Sequence, residues 1–218
     1  MLTMMEQLMS DFNDMTLNIG KITPQSKVNG HGLRFTIWLQ GCSLQCKGCI
    51  NEAFWSKKPN QLIKVSDLFS MIVNTSGIEG VTYSGGEPFE QAEGLYMLSS
   101  LLKDKGLSIM SYSGYTYEEL MNSTDGFKSR LLDNIDILVD GRYEYERRAY
   151  LLWRGSSNQR VHFLTPLYKN YEKLVNNYKL QMEFSINHEM SNISIDGNLS
   201  QEMLEEIQRR MKAYGINI

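Results

Sequence analysis

Apolar and polar positions along this chain change period repeatedly, and each change marks a new element. Arg34 to Gln40, RFTIWLQ, is dense in β-branched and aromatic residues, the composition of a strand. GVTYS (Gly80 to Ser84), LSIMSYS (Leu107 to Ser113) and IDILVD (Ile135 to Asp140) read the same way, and VHFL near Val161 gives a fifth. Between these runs the period lengthens. Ser66 stands where it would cap a helix through DLFSMIVN that stops near Gly77. Leu95, Leu98, Leu101 and Leu102 share one face of a helix from about Gln91 to Lys105, with Gly106 as its stop. Thr116 and Glu119 have the spacing of a capping box. Strands alternating with helices predict right-handed βαβ units, an α/β fold and a mainly parallel sheet, with too few strands for a complete eight-stranded barrel.

The ends differ from this middle. Met4, Met5 and Met9 fall on one face of a short N-terminal helix, where methionine serves as flexible packing. QMEFSIN and NISIDG read as a hairpin-like pair, and Ser200 caps a final amphipathic helix ending near Gly215. The expected organisation is an N-terminal extension over 1–26 and a single domain over 27–218, in which 178–218 is a small closing element.

Bulk properties narrow the function classes. A chain of 218 residues is long enough for one domain with a full core. A net charge of -3 supplies no basic field for nucleic acid. No apolar run approaches the roughly 20 residues that span a bilayer, and the first residues lack the basic start and apolar stretch of a secretory signal. The expectation is a cytoplasmic protein with neither nucleic acid nor membrane as partner.

All three cysteines, Cys42, Cys46 and Cys49, lie in one stretch, GCSLQCKGCIN. Three thiols cannot all pair within a chain, and a reducing cytosol disfavours disulfides. A Cys-x3-Cys-x2-Cys spacing brings three thiolates to one small inorganic centre. Zinc would require a fourth ligand, and His31, His162 and His188 sit at no standard finger spacing. A four-iron cluster normally takes four cysteines. With three, the last iron is either ligated by another group or open to a substrate, and an open iron suggests chemistry rather than electron carriage.

Further residues end strands on the same side of the predicted sheet. Gly85-Gly86-Glu87-Pro88 reads either as a turn or as glycines that let the backbone approach a ligand closely. Ser111, Tyr112 and Ser113 close the third strand and Asp140 the fourth; such groups bind ligand hydroxyls or cap helices and turns.

The cysteine spacing, in a loop after the first predicted strand, resembles the cluster motif of radical S-adenosylmethionine (SAM) enzymes. That resemblance implies a partial (β/α) barrel and a [4Fe-4S] cluster held by Cys42, Cys46 and Cys49. It also implies SAM on the unique iron, Gly85, Gly86 and Glu87 at the methionyl ammonium, and Ser113 and Asp140 as further cofactor contacts. Asn29-Gly30-His31-Gly32-Leu33-Arg34 resembles the lead-in of enzymes that activate glycyl radical proteins. Gly48, Asn51, Trp55, Leu138 to Gly141 and the run Trp153 to Gln159 resemble the anaerobic ribonucleoside-triphosphate reductase activating proteins, the likeness covering about Lys27 to Val161. In that family a flavodoxin- or ferredoxin-type donor supplies one electron, SAM splits into methionine and a 5′-deoxyadenosyl radical, and the radical takes hydrogen from a glycine Cα. The implied partner is the glycyl radical enzyme itself, an anaerobic ribonucleotide reductase-like large subunit.

On that reading the basic and aromatic stretch Arg142 to Arg160 is a docking surface; otherwise it is a solvated loop. The chain departs from the subgroup in having Ser43, Leu44 and Gln45 where a histidine is frequent, and Lys47 where proline precedes Gly48. Two other readings stay open: a small radical SAM enzyme acting on a nucleotide or peptide, and a non-catalytic zinc or electron-transfer module.

Overall fold

Every residue of RFTIWL is buried, without the alternation of a half-exposed strand. Such a strand belongs at the centre of a sheet covered on both faces, and the computed structural model places it there. It describes residues 14–176, 182–186, 193–197 and 201–215. The strands are β1 (Thr16–Ser26), β2 (Arg34–Leu39), β3 (Gln61–Lys64), β4 (Gly80–Gly85), β5 (Ser108–Tyr112), β6 (Ile137–Asp140), β7 (Arg148–Leu151), β8 (Arg154–Ser156), β9 (Arg160–Phe163), β10 (Met182–Ile186) and β11 (Ile193–Gly197). The helices are α1 (Val65–Val73), α2 (Ala92–Asp104), α3 (Tyr117–Met121), α4 (Gly126–Asp133) and α5 (Gln201–Ala213).

Seven strands form one sheet in the order β3-β1-β2-β4-β5-β6-β9. The centre, β2-β4-β5-β6, is parallel throughout. Antiparallel strands border it, with β1 and β3 on one side and β9 on the other. The fold is therefore α/β with a mainly parallel central sheet. Adjacent residues of β5 and β6 point to opposite faces, as strand geometry requires. Ile109 and Leu138 join Leu68, Ile72, Leu95, Leu98 and Leu131 under the helices. Met110, Ile137 and Val139 pack on the other face against Leu152, Trp153, Tyr168 and Val175. Leu101 is only half-buried, at the border of the apolar face of α2.

Several expectations shift. Thr16–Ser26, placed by the sequence reading in the N-terminal extension, is an inner strand between β3 and β2. Its signal was the alternation of Leu17 and Ile19, both buried, but Gly20, Pro24 and the polar residues between them obscured it. β9 runs antiparallel to β6 because 141–159 carries a 3-10 turn and the β7–β8 pair in place of a crossover helix. Ser66 is no cap: β3 leads straight into α1, whose capping position is Lys64. The Thr116 and Glu119 capping box forms as expected, and β10 and β11 pair antiparallel. The methionine-rich helix and Ser200 lie outside the described residues.

At the base of the sheet, Arg34 is fully buried. Its guanidinium donates to Thr82 Oγ1 (2.7 Å), the carbonyls of His31 (3.2 Å), Val81 (2.6 Å) and Ser108 (3.0 Å), and Ser108 Oγ (3.0 Å). These are neutral acceptors, and burial lowers the arginine pKa. One side chain thus binds β2, β4, β5 and the loop before β2. Gly30 lies where any Cβ would collide with the Arg34 stem. Replacing Arg34 with methionine strands these acceptors in an apolar setting. We expect a loss of about 3 kcal/mol or more, with Arg34→Lys intermediate because three donors replace five. Urea unfolding of the metal-free chain, followed by circular dichroism, measures both.

Candidate functional site

In a parallel sheet the loops after the strands meet at the carboxyl ends, where ligands bind. Here those loops surround a cavity of about 430 Å³. Cys42, Cys46 and Cys49 line it after β2, Gly85, Gly86 and Glu87 after β4, Ser113 and Gly114 after β5, and Gly141 after β6. Asp140 is not among the lining residues.

The two glycines at the end of β4 answer to a backbone contact. Gly85 has φ +92, and a Cβ there would stand 2.5 Å from the Leu39 nitrogen. A Cβ on Gly86 would collide with the Gly41 carbonyl. The bare backbones close up instead: the Gly86 amide donates to Leu39 O (2.8 Å) and the Glu87 amide to Gly41 O (2.9 Å). The cysteine loop is thereby fastened to the Gly-Gly-Glu segment.

Its other side is fixed as firmly. Amides of Gly41 and Cys42 donate to the carbonyls of Phe54 (2.8 Å) and Trp55 (3.1 Å), and the Cys49 amide donates to Cys46 O (3.1 Å). Ser43 donates its amide (2.9 Å) and its hydroxyl to Glu90, whose other oxygen pairs with Lys57 at 2.9 Å. Gly48 has φ +70, and a Cβ there would come within 2.6 Å of the Tyr145 ring. Glu90 and Tyr145 are functional supports that sequence reasoning missed; only the fold shows that they meet the cysteine loop.

All three thiols are free, Cys42 buried and the others half-buried. Burial pushes the Cys42 and Cys49 thiols up from their ordinary range. The Asn51 amide points at Cys49 Sγ at 3.4 Å, the N–H···S contact that tunes thiolate-bound iron. Among the described residues no three His, Cys, Asp or Glu side chains converge on a point that would hold a single metal ion. Three thiols spread around one cavity suit a cluster, in which each iron takes its own thiolate, better than a tetrahedral zinc site.

Glu87 is buried beneath this loop. Its carboxylate accepts from the Phe89 amide (3.0 Å), Ser113 Oγ (2.9 Å) and the Gly114 amide (2.8 Å). Burial nonetheless outweighs these donors and pushes the carboxyl up to about 7. Ser113 Oγ also accepts from the Tyr115 amide (3.0 Å), so its hydroxyl is engaged on both sides. Ser111 Oγ donates to the Tyr112 carbonyl at 3.1 Å.

Asp140 is held by groups of the chain itself. It accepts from Arg160 (3.0 and 2.5 Å) and from the Tyr117 amide at the start of α3 (2.6 Å), with His162 Nε2 3.1 Å away. Burial alone would raise its pKa, but these partners prevail and hold it at about 2. In the run Trp153 to Gln159, the Gln159 side chain accepts from the amides of Gly155 (2.9 Å) and Ser156 (3.2 Å) and donates to Gly141 O (3.1 Å). Asn158 donates to Arg142 O at 2.7 Å. That run therefore fixes the loop after β6. In the expected docking stretch, Arg147, Arg148 and Arg160 are paired within the chain, with Glu144, Glu202 and Glu118 plus Asp140.

Two measurements follow from this geometry. Gly86→Ala forces the cysteine loop off β4, and iron bound per chain after anaerobic reconstitution should fall below half of wild type. The second concerns pH. A carboxyl raised in the folded state stabilises it below the ordinary value of 4.5 and loses that contribution as pH rises to about 7. Asp140 acts oppositely: its contribution is present above 3.8 and is lost as pH falls through about 2. Urea midpoints of the metal-free chain should thus decline from pH 5 to 8 and from pH 4 to 2. Glu87→Gln flattens the first decline, and Asp140→Asn the second.

Comparison with known proteins agrees with this arrangement. Residues 28–162 match the family model described as a 4Fe-4S single cluster domain. An anaerobic ribonucleoside-triphosphate reductase-activating protein of Enterobacteria phage T4 is 30% identical over 151 residues, covering 66% of this chain and 93% of its own. The protein of that name from Vibrio cholerae is 34% identical over 158 residues, covering 68% and 99%. The crystal structure of QueE from Escherichia coli superposes with a TM-score of 0.44 at 18% identity, over 60% of this chain and 73% of that one. The chain belongs to the 4Fe-4S single cluster domain family and, within it, to the anaerobic ribonucleoside-triphosphate reductase-activating proteins.

Proposed function

We propose that this protein is a radical SAM activase that installs a glycyl radical on an anaerobic ribonucleotide reductase. The observation that carries the reading is the meeting of three free thiols and the Gly-Gly-Glu segment at one cavity. With the [4Fe-4S] cluster and SAM bound and one electron supplied, the cofactors yield methionine and a 5′-deoxyadenosyl radical, which takes a hydrogen atom from the partner's glycine.

The chain's own residues bind, orient and shield. Cys42, Cys46 and Cys49 would hold the cluster, and the chain has no fourth cysteine to close it, which would leave one position for SAM. Gly85 and Gly86 present bare backbone to the methionyl end, with Glu87 as the buried negative charge for its ammonium. Ser113, whose hydroxyl is engaged by Glu87 and the Tyr115 amide, is assigned as a positioning residue for Glu87. Asp140 is assigned as a positioning residue for Arg160 and α3, which keeps the loop after β6 in place.

The electron donor is of the flavodoxin or ferredoxin type, and the setting is the reducing cytoplasm, which keeps the thiols available. Among the described residues no helix is long and apolar enough to cross a membrane. Because Arg147, Arg148 and Arg160 are paired internally, we place partner recognition at the cavity mouth rather than on that stretch.

Anaerobic reconstitution should yield about four irons and four sulfides per chain, the content of one such cluster, with an EPR signal that changes on adding SAM. The reduced protein should release 5′-deoxyadenosine, and a glycyl radical doublet should appear in the reductase only when this protein is present. Cys46→Ser should lower cleavage by about a hundredfold or more, the scale seen when a metal's protein support is removed. Stoichiometric zinc without iron or sulfide, or a reduced cluster that never cleaves SAM, would overturn the proposal.

A further inference from the structure

One wall of the cavity comes from outside the family match. That match ends at residue 162, and the phage T4 and Vibrio cholerae relatives are covered to 93% and 99% while matching only 66% and 68% of this chain. About a third of the chain is thus additional to what those relatives contain. Yet Ile195 and Gly197 of β11 and Leu204 of α5 line the same cavity as the cysteines. The additional segment is built into the site.

Two polar contacts among the described residues attach it to the domain. Arg148, itself a lining residue at the start of β7, pairs with Glu202 in the first turn of α5 at 2.8 Å. The Lys27 amide, in the loop before β2, points at the Glu183 carboxylate of β10 at 3.3 and 3.4 Å. Both groups of the Arg148–Glu202 pair are partly exposed, and exposed pairs contribute little. Among the described residues, this modest ion pair and this long hydrogen bond are two of the contacts that join the element to the domain. What it adds to the lining, Ile195, Gly197 and Leu204, has no titratable group. Among the described residues it adds no acid, base or metal ligand to the lining. It supplies cover, and a site that handles a reactive carbon radical needs water and other quenchers excluded.

We propose that the β10–β11 hairpin and α5 form a cover over the cofactor cavity, latched by Arg148 and Glu202, that retains SAM and shields the radical formed from it. This rests on the assignment of the cavity to SAM. The cover opens when the latch is broken, and Leu204 is its apolar contact with the ligand space.

Full-length chains carrying Glu202→Arg, the swap Arg148→Glu with Glu202→Arg, and Leu204→Ser test it. In the metal-free protein, amide hydrogen exchange of residues 201–213 should be about fivefold faster in Glu202→Arg, the scale of one exposed ion pair. It should return to the wild-type rate in the swap. In the reconstituted enzyme, Glu202→Arg and Leu204→Ser should raise KM for SAM more than they lower kcat. Both should also increase the 5′-deoxyadenosine released without partner activation. Unchanged exchange in Glu202→Arg overturns the latch. Faster exchange with unaltered KM and unaltered uncoupled cleavage overturns the cover. The exchange experiment needs no cofactor, so it judges the latch separately from the SAM reading; a wild-type enzyme that fails to cleave SAM overturns that reading and the shielding role with it.

Discussion

The site depends on a contact between two stretches of bare backbone. Leu39 to Gly41 leave the central strand just as Gly85 and Gly86 leave its neighbour, and the two pass so closely that a side chain on Gly86 would strike the Gly41 carbonyl. Two amide–carbonyl bonds then tie the loops together. Because β2 and β4 pair in parallel, from Arg34 opposite Gly80 to Leu39 opposite Gly85, the register of the sheet fixes where the loops meet. A one-residue slip would exchange the residues packed on the two faces of the sheet. Sheet register, glycine placement and thiol position are consequences of a single arrangement.

Two fully buried charges sit at opposite ends of that arrangement and behave differently. Arg34, at the base, faces five neutral acceptors and joins three strands to the preceding loop. Removing a buried charge from such partners costs more than the bonds themselves contribute. Glu87, at the top, accepts from three donors, yet burial pushes its carboxyl up to about 7. The first charge holds the fold together. The second is kept in a state that a nearby cation would stabilise.

How much of this could be read from the sequence depends on whether a feature was local. The cysteine spacing, the Gly-Gly-Glu segment, the four parallel strands and the Thr116 capping box are written in consecutive residues. β1 was hidden because Gly20 and Pro24 interrupt its alternation and only its two partners make it a strand. Asp140 looked like a cofactor contact because it ends a strand at the right face. Arg160 and His162, on an antiparallel strand that the helix–strand rhythm did not predict, engage its carboxylate instead. Glu90 and Tyr145 carry no motif, and their contacts with the cysteine loop exist only through the fold. The Gly155-Ser156-Ser157-Asn158-Gln159 run was legible as a family signature, but its action, clasping Gly141 and Arg142 through side-chain amides, was not.

These placements share a logic. Several polar side chains near the cavity, Glu90, Gln159, Asn158 and Asp140, hold loops, while the lining combines sulfur, bare glycine and aromatic rings with polar groups such as Glu87, Ser113 and Asn51. An enzyme that relies on side-chain acids and bases would aim those groups inward. On the proposed reading the hard chemistry belongs to bound cofactors, and a carbon radical would attack exposed C–H and S–H groups as readily as its substrate. Cysteines that would be tied up on iron, and glycine backbone packed against glycine backbone, would leave little to attack. Cover from α5 and the β10–β11 hairpin extends the same principle to the mouth of the cavity. In that proposal the apolar residues it adds would keep water out, and Arg148 and Glu202, which latch it, are joined to each other.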